Sequence, residues 1–435
     1  MRAALGFGCV LAILLIACRP LRSDPPTGTG GDRSSGGRGG NGGSATGGTS
    51  ANGGSSANGG SSASGAASGS GGSSSLGGTT TSAGGAGSST DAAGGVGSGG
   101  IAAGGGSGGG SAACTTTSLS SSFAWTTGKS LMDPVSDNSS HHLVAIKDPS
   151  IVYYSGHYHL YATVVDMNGN SNMTYSSFID FASASVATAY YMDYTSGFSG
   201  TRYSPQLFYM SGQKKWYLIT QSSGPSYSTA ADPGQASTWT KPTAFFSSTP
   251  GVVTQNAGSG ALAWSDFWVV CDGANCHLFF SNQNNVVFRS QTSLGNLPNG
   301  FGTPTIVMQG SSSNSLFAVS GVYKVAGTGK FLLLVEAVGS KGHFIRSWTA
   351  DALDGSWKAL ADTESNPFAG AANVAFTDTT WTGDISQGEL VRSGYDETAT
   401  VKPCGLQFVF EGRDPHSSAS TELLPWKLGL LTQSN

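Results

Sequence analysis

Two aspartates stand at the start of aromatic and β-branched strands, and what they can do together is the first question this chain poses. Asp148 heads Asp148-Pro149-Ser150-Ile151-Val152-Tyr153-Tyr154, and Asp266 heads Asp266-Phe267-Trp268-Val269-Val270. A lone aspartate at a strand start commonly does no more than accept bonds from nearby backbone amides. Two of them in one cleft, with Lys147 beside the first, can move protons: one as a base towards water, the other as an acid or as the group that tunes one. Whether they meet depends on the elements that carry them.

Those elements repeat. Ala145 to Tyr154 reads as a strand, Ser155-Gly156 as a tight turn and His157 to Val165 as the returning strand. Ser204 to Tyr209 runs through Ser211-Gly212 into Trp216-Tyr217-Leu218, and Asp266 to Val270 through Asp272-Gly273 into His277 to Phe280. Ala318 to Lys324 runs through Gly327 into Phe331 to Leu334, and Gln387 to Arg392 returns as Leu406 to Phe410. The heads Asp148, Ser204, Asp266, Ala318 and Gln387 are 56, 62, 52 and 69 residues apart. Hairpins at that period, with no helical periodicity between them, predict an all-β, five-bladed β-propeller. Inner strands of a propeller converge at one end of the axis, so residues at their starts face one another around a funnel. Inverting glycoside hydrolysis needs such a place: an acid, a base and room for a water, with carboxyl groups about 6.5–9.5 Å apart.

The rest of the chain says where this domain works. Residues 1–17 read as an export signal, with Arg2 followed by an apolar run, Leu11 to Ile16, too short to span a membrane as a mature helix. The run ends Leu15-Ile16-Ala17-Cys18, which resembles a bacterial lipobox with Cys18 as the lipidated residue. Residues 18–113 are dominated by Gly, Ser, Ala and Thr and carry too little apolar surface to offset chain entropy, so this stretch is expected to be a disordered linker. A Gly/Ser coil of about 90 residues spans on the order of 50 Å. The expected location is therefore the cell surface or exterior, with membrane contact only through a lipid anchor. Net charge is −4 with 11% charged residues and no basic run, which argues against nucleic acid as a partner.

Residues 114–435 form the folded part. Beyond Cys9 and Cys18 there are four cysteines, an even number in an exported chain, which reads as two disulfides. Cys271 and Cys276 flank a short Asp-Gly turn that a bond could close, leaving Cys114 and Cys404 to tie the two ends of the domain and close the ring. Zinc is the alternative use of cysteines, but neither a CxxC nor a histidine pair at ligand spacing accompanies them.

With these motifs in hand the domain resembles glycoside hydrolase family 62 from about Leu119 to Gln433. The resemblance rests on Ile146-Lys147-Asp148-Pro149-Ser150-Ile151-Val152-Tyr153-Tyr154, Trp264-Ser265-Asp266-Phe267-Trp268-Val269-Val270-Cys271-Asp272, Pro298-Asn299-Gly300-Phe301-Gly302, Glu364-Ser365-Asn366-Pro367-Phe368-Ala369-Gly370, Asp384-Ile385-Ser386, Pro403-Cys404, Glu411-Gly412-Arg413-Asp414-Pro415 and Leu424-Pro425-Trp426. It implies a five-bladed propeller and an inverting α-L-arabinofuranosidase that releases arabinose branches from arabinoxylan or arabinan-type polymers, acting as a monomer and needing no cofactor. It also implies roles: Asp148 the general base, Asp266 the aspartate that holds and tunes the acid, Lys147, Arg202 and Trp264 near the arabinose pocket, and Trp426 packing on the xylan chain.

Two departures qualify that implication. Where the family reads Leu-Phe-Glu-Ala, with the glutamate as general acid, this chain reads Leu316-Phe317-Ala318-Val319, so Ala318 occupies the acid's place. Where the family has Ser-His-Gly beside an axial calcium, this chain reads Ser386-Gln387-Gly388, which puts calcium at Gln387 in doubt. Glu336 and Glu389 are neighbouring carboxylates, but the family carries acids at both places, so neither is assigned the missing role. The expectation is therefore an enzyme impaired at its acid, or an arabinoxylan-binding propeller that cuts weakly or not at all.

Overall fold

Each repeated unit folds into an antiparallel meander because its apolar runs are short and the turns between them have the right chemistry. In the first hairpin Ser155 and Gly156 both take left-handed backbone, φ 51° and 87°. Two such residues make the turn whose twist matches the flanking strands, and glycine adopts it without strain. The computed structural model describes residues 117–434 apart from 138, 139, 259–261, 283, 313 and 314. The export signal, Cys18, the linker and Cys114 lie outside the described residues.

Five sheets result, and their order follows the repeat. The first blade runs outward as Leu143–Tyr154, His157–Asp166, Ser171–Phe178 and Ala189–Tyr191. The second is Tyr203–Met210, Lys215–Gln221, Pro225–Ala230 and Thr243–Ala244, and the third Ser265–Cys271, Asn275–Asn282, Val286–Ser293 and Thr305–Gln309. The fourth is built on Ala318–Val325, Lys330–Gly339, Gly342–Ala350 and Lys358–Thr363, with short flanking strands at each edge. The fifth draws Gly388–Leu390, Gln407–Gly412 and Lys427–Gln433 from the chain's end and Trp125–Thr127 from the start of the described domain, with Val374–Phe376 outermost. The one α-helix among the described residues is the single turn Gly251–Gln255.

Backbone pairing contributes to ring closure. Trp125–Thr127 pairs antiparallel with Lys427–Gln433 and parallel with Val374–Phe376, so backbone hydrogen bonds between early and late segments complete the last blade. A disulfide joins Cys271 to Cys276 across the third blade's first hairpin, where the two residues are register partners. Cys404 is also disulfide-bonded.

Polar side chains lock blade to blade. Ser150 Oγ accepts from the Leu207 amide, Gln206 exchanges two hydrogen bonds with the Val269 backbone, Trp268 Nε1 donates to the Val322 carbonyl, and Ser320 Oγ donates to the Gly388 carbonyl. Glu389 and Arg392 form a fully buried ion pair, 2.6 Å apart. Glu389 accepts from Ser150 Oγ and the Ile151 amide, while Arg392 donates to the carbonyls of Ile151 and Leu207. Glu389 is thus tied up between the first and fifth blades and does not open to the cleft. Aromatic side chains such as Trp216, Tyr161, Phe208 and Phe280 fill the spaces between sheets with almost no exposed surface, each worth about 1.5–3 kcal/mol of apolar burial or more.

Candidate active site

The inner strands converge as the repeat requires, and the residues at their starts form one cavity of about 380 Å³. Lys147, Asp148, Ser204, Asp266, Ala318, Gln387 and Trp426 all line it. Below it, a narrower space on the axis is lined by one head from each blade: Asp148, Ser204, Asp266, Val319 and Gln387.

That axial set corrects the repeat alignment by one residue. Asp148, Ser204 and Asp266 share left-handed backbone, φ 46°, 50° and 58°, each inside a bulge that skips two residues of the inner strand. In the fourth blade the bulge skips only Ser320. Counted between Ala318↔Glu336 and Gly321↔Leu334 it has the same length as the others, so Val319 falls at the head position, and Ala318 takes the place that Lys147, Tyr203 and Ser265 hold in the other blades, directly opposite Glu336. Left-handed backbone strains a residue other than glycine, and here it turns Asp148 and Asp266 towards a shared space.

A second ring supports the heads. The Ser204 amide donates to Thr163 Oγ1 at 2.8 Å, the Asp266 amide to Gln221 Oε1 at 2.9 Å, and the Val319 amide to Ser281 Oγ at 3.2 Å. The Asp148 amide closes the circuit on Glu411 Oε2 at 2.7 Å. Glu336, equivalent in the fourth blade, receives the Ser386 hydroxyl instead. Ser386 Oγ also lies 3.1 Å from Glu411 Oε1. Burial, and then the charge of Asp148, raise the pKa of Glu411 well above the usual carboxyl range.

Charge at the site is dense. For Lys147 burial favours the neutral amine, but Asp148, Glu411, Asp266 and Glu336 surround it and raise its pKa overall. Asp266 accepts from Ser265 Oγ at 2.7 Å and Ser281 Oγ at 3.3 Å, yet burial, with Asp148 and Glu336 adding repulsion, pushes it up to about 7. It is therefore partly protonated near neutral pH. On the cavity wall Trp426 is only 7% exposed, edge-on to His343 at 5.6 Å and 5.3 Å from the Arg413 guanidinium. It is a wall of the pocket more than an open platform.

Two residues that sequence placed near the pocket are not among its described lining. Trp264 packs with Phe246, Phe267 and Phe280 and donates to the Ser223 carbonyl, and Arg202 donates to Ser222 Oγ. Conversely, Glu336, Glu411, Ser386 and His343 belong to the cavity and were not assigned to it from sequence. Their signal is positional: Thr163, Gln221, Ser281, Glu336 and Glu411 recur at matching places on the second strands. Gln387 sits where the axial calcium was put in doubt. Its amide points at the Val319 carbonyl, and among the described residues no group of three or more His, Cys, Asp or Glu could hold a metal ion.

Residues 124–432 match the profile of glycosyl hydrolase family 62. Over 320 residues the chain is 41% identical to alpha-L-arabinofuranosidase C of Cellvibrio japonicus (strain Ueda107), a match covering 73% of this chain and 48% of that protein. The chain thus spans about half the length of that curated relative. Among solved structures, the catalytic domain of the Coprinopsis cinerea GH62 alpha-L-arabinofuranosidase superposes with a TM-score of 0.70 at 47% identity, covering 73% of this chain and 99% of that one. The Podospora anserina alpha-L-arabinofuranosidase in complex with cellotriose gives 0.70 at 39%, covering 73% and 98%. A GH62 hydrolase in complex with xylotriose gives 0.69 at 39%, covering 72% and 98%.

Proposed function

Because the chain belongs to glycosyl hydrolase family 62, we propose that its propeller removes arabinofuranosyl side chains from arabinoxylan by inverting hydrolysis, using Asp148 as the base. The observation that carries this reading is the convergence of Asp148 and Asp266, from two blades, with Lys147 in one cavity. Asp148 would take a proton from water as the water oxygen bonds to the anomeric carbon. The glycosidic bond on the opposite face breaks and configuration inverts. Asp266, near-neutral in its titration, keeps a full second negative charge from building beside Asp148. The departing sugar oxygen still needs a proton, and Ala318 has none to give. Loss of a general acid removes about 10²–10⁴-fold of rate, so turnover falls below that of an acid-bearing site.

Ala318 also favours a second reading, a propeller that captures arabinose-decorated xylan without cutting it. Arabinose release from arabinoxylan by the wild type and by Ala318→Glu separates the two. Release by the wild type supports hydrolysis, whereas release by the variant alone supports capture. The same reading places the domain outside the cell as a monomer, tethered through Cys18 and the Gly/Ser-rich segment. Cys18→Ser should then shift the protein from the membrane fraction to the soluble one.

A further inference from the structure

The geometry points to His343, positioned by Glu336, as the group that delivers the leaving-group proton in place of the side chain missing at Ala318. This rests on the hydrolytic reading above and deepens it. Glu336 stands directly opposite Ala318 in the strand register, and its Oε1 bonds His343 Nδ1. The imidazole lies between two aromatic walls, with Phe317 at 6.0 Å and 85° and Trp426 at 5.6 Å and 88°. Both contacts are edge-on, so the ring is held in one orientation. The Phe317 contact sets it beside the residue that precedes Ala318. His343 lines the cavity, its side chain is 18% exposed, and Nε2 has no protein hydrogen-bond partner among the described residues. One nitrogen is fixed and the other is free for a substrate oxygen.

The surroundings favour the charged ring. Burial alone would lower the pKa of His343, but the Glu336 carboxylate and then Asp384 outweigh it and raise it overall, with Arg413 opposing. Arg413 is itself 3.1 Å from Asp384, which blunts that opposition. Glu411 and Lys147 are other titratable groups nearby on the cavity wall, linked through Ser386 and through the carboxylates around the lysine. An imidazolium with one N–H held by a carboxylate and the other free is a proton donor suited to near-neutral pH.

The step balances. Asp148 takes a proton from water as the water oxygen bonds to the anomeric carbon. The bond from that carbon to the leaving oxygen breaks, and its electron pair goes to the oxygen, which accepts the Nε2 proton. His343 is left neutral, and exchange with solvent returns its proton and removes the one on Asp148.

Leaving-group dependence tests this on the full chain. Dinitrophenolate leaves a 2,4-dinitrophenyl arabinofuranoside without a proton, whereas the sugar oxygen that leaves in arabinoxylan needs one. His343→Gln should lower kcat on arabinoxylan about 10²–10⁴-fold, with KM little changed, while altering dinitrophenyl turnover less than about threefold by the same argument. Adding Ala318→Glu to that variant should restore release from arabinoxylan. Glu336→Gln, in the positioning role, should shift the alkaline limb of the arabinoxylan pH profile to lower pH. If His343→Gln leaves arabinoxylan turnover intact, or lowers both substrates equally in a protein with wild-type melting behaviour, the inference is overturned and the family reading stands. A wild type silent on both substrates overturns both.

Discussion

The backbone amide of Asp148 donates to the side chain of Glu411, 2.7 Å away and 263 residues later in the chain. That bond joins the first blade to the last at the point where the candidate base is held in left-handed backbone. The acceptor is a carboxyl whose pKa burial, and then the charge of Asp148, raise well above the usual range, which favours its neutral form beside Asp148. Glu411→Gln keeps an acceptor oxygen and a donor towards Ser386, and should retain most of the stability. Glu411→Ala leaves the Asp148 amide unpaired and should cost about 1–3 kcal/mol. Chemical denaturation of both variants measures the difference.

Asp148→Asn removes the group that accepts the water proton while preserving shape. Arabinose release should fall by about 10²–10⁴-fold, and binding of arabinoxylan should survive, since the asparagine still fits the turn. Parallel turnover and isothermal titration on the two proteins provide the check. Loss of binding together with turnover would count against a purely chemical role.

Asp266 links the site to stability through pH. Its pKa is raised from 3.8 to about 7, so the folded state holds this proton more tightly than the unfolded chain. For an acid shifted in this direction, stability falls as pH rises from about 4 to 7. Asp266→Asn cannot ionise, so it should flatten that slope and be more stable than wild type at pH 8, while losing activity. Melting curves from pH 4 to 8 decide this, and an unchanged slope would refute the assignment.

Much of this was legible in the sequence because the repeat is local. Tight turns such as Ser155-Gly156, alternating aromatic strands and the period of the heads are enough to give five blades, and the blades in turn bring Asp148 and Asp266 together. The offset at Ala318 was not legible, because it depends on the register of the inner strand against Lys330–Gly339, where Ala318 faces Glu336, and cross-strand register leaves no composition signal. Glu336 and Glu411 were hidden for a related reason. They sit on second strands, and their reach into the cavity follows from register across hairpins. Trp264, two residues before Asp266, precedes the strand Ser265–Cys271 and packs into an aromatic core instead of lining the cavity.

The buried pair Glu389 and Arg392 offers a test of the ring apart from its chemistry. Arg392 serves two carbonyls, of Ile151 and Leu207, in the first and second blades, and neutralises Glu389, so removing it strands a buried carboxyl. Arg392→Met should cost about 3–5 kcal/mol. Burial already holds Glu389 above its usual range, and without Arg392 it rises further, so the loss should deepen as pH increases. The double variant Glu389→Gln with Arg392→Met should lose less than the single Arg392 change, because no charge is left stranded. A double-mutant cycle at pH 5 and pH 8 checks both statements, and a pH-independent cost would show that losing Arg392 does not change the protonation of Glu389 in that range.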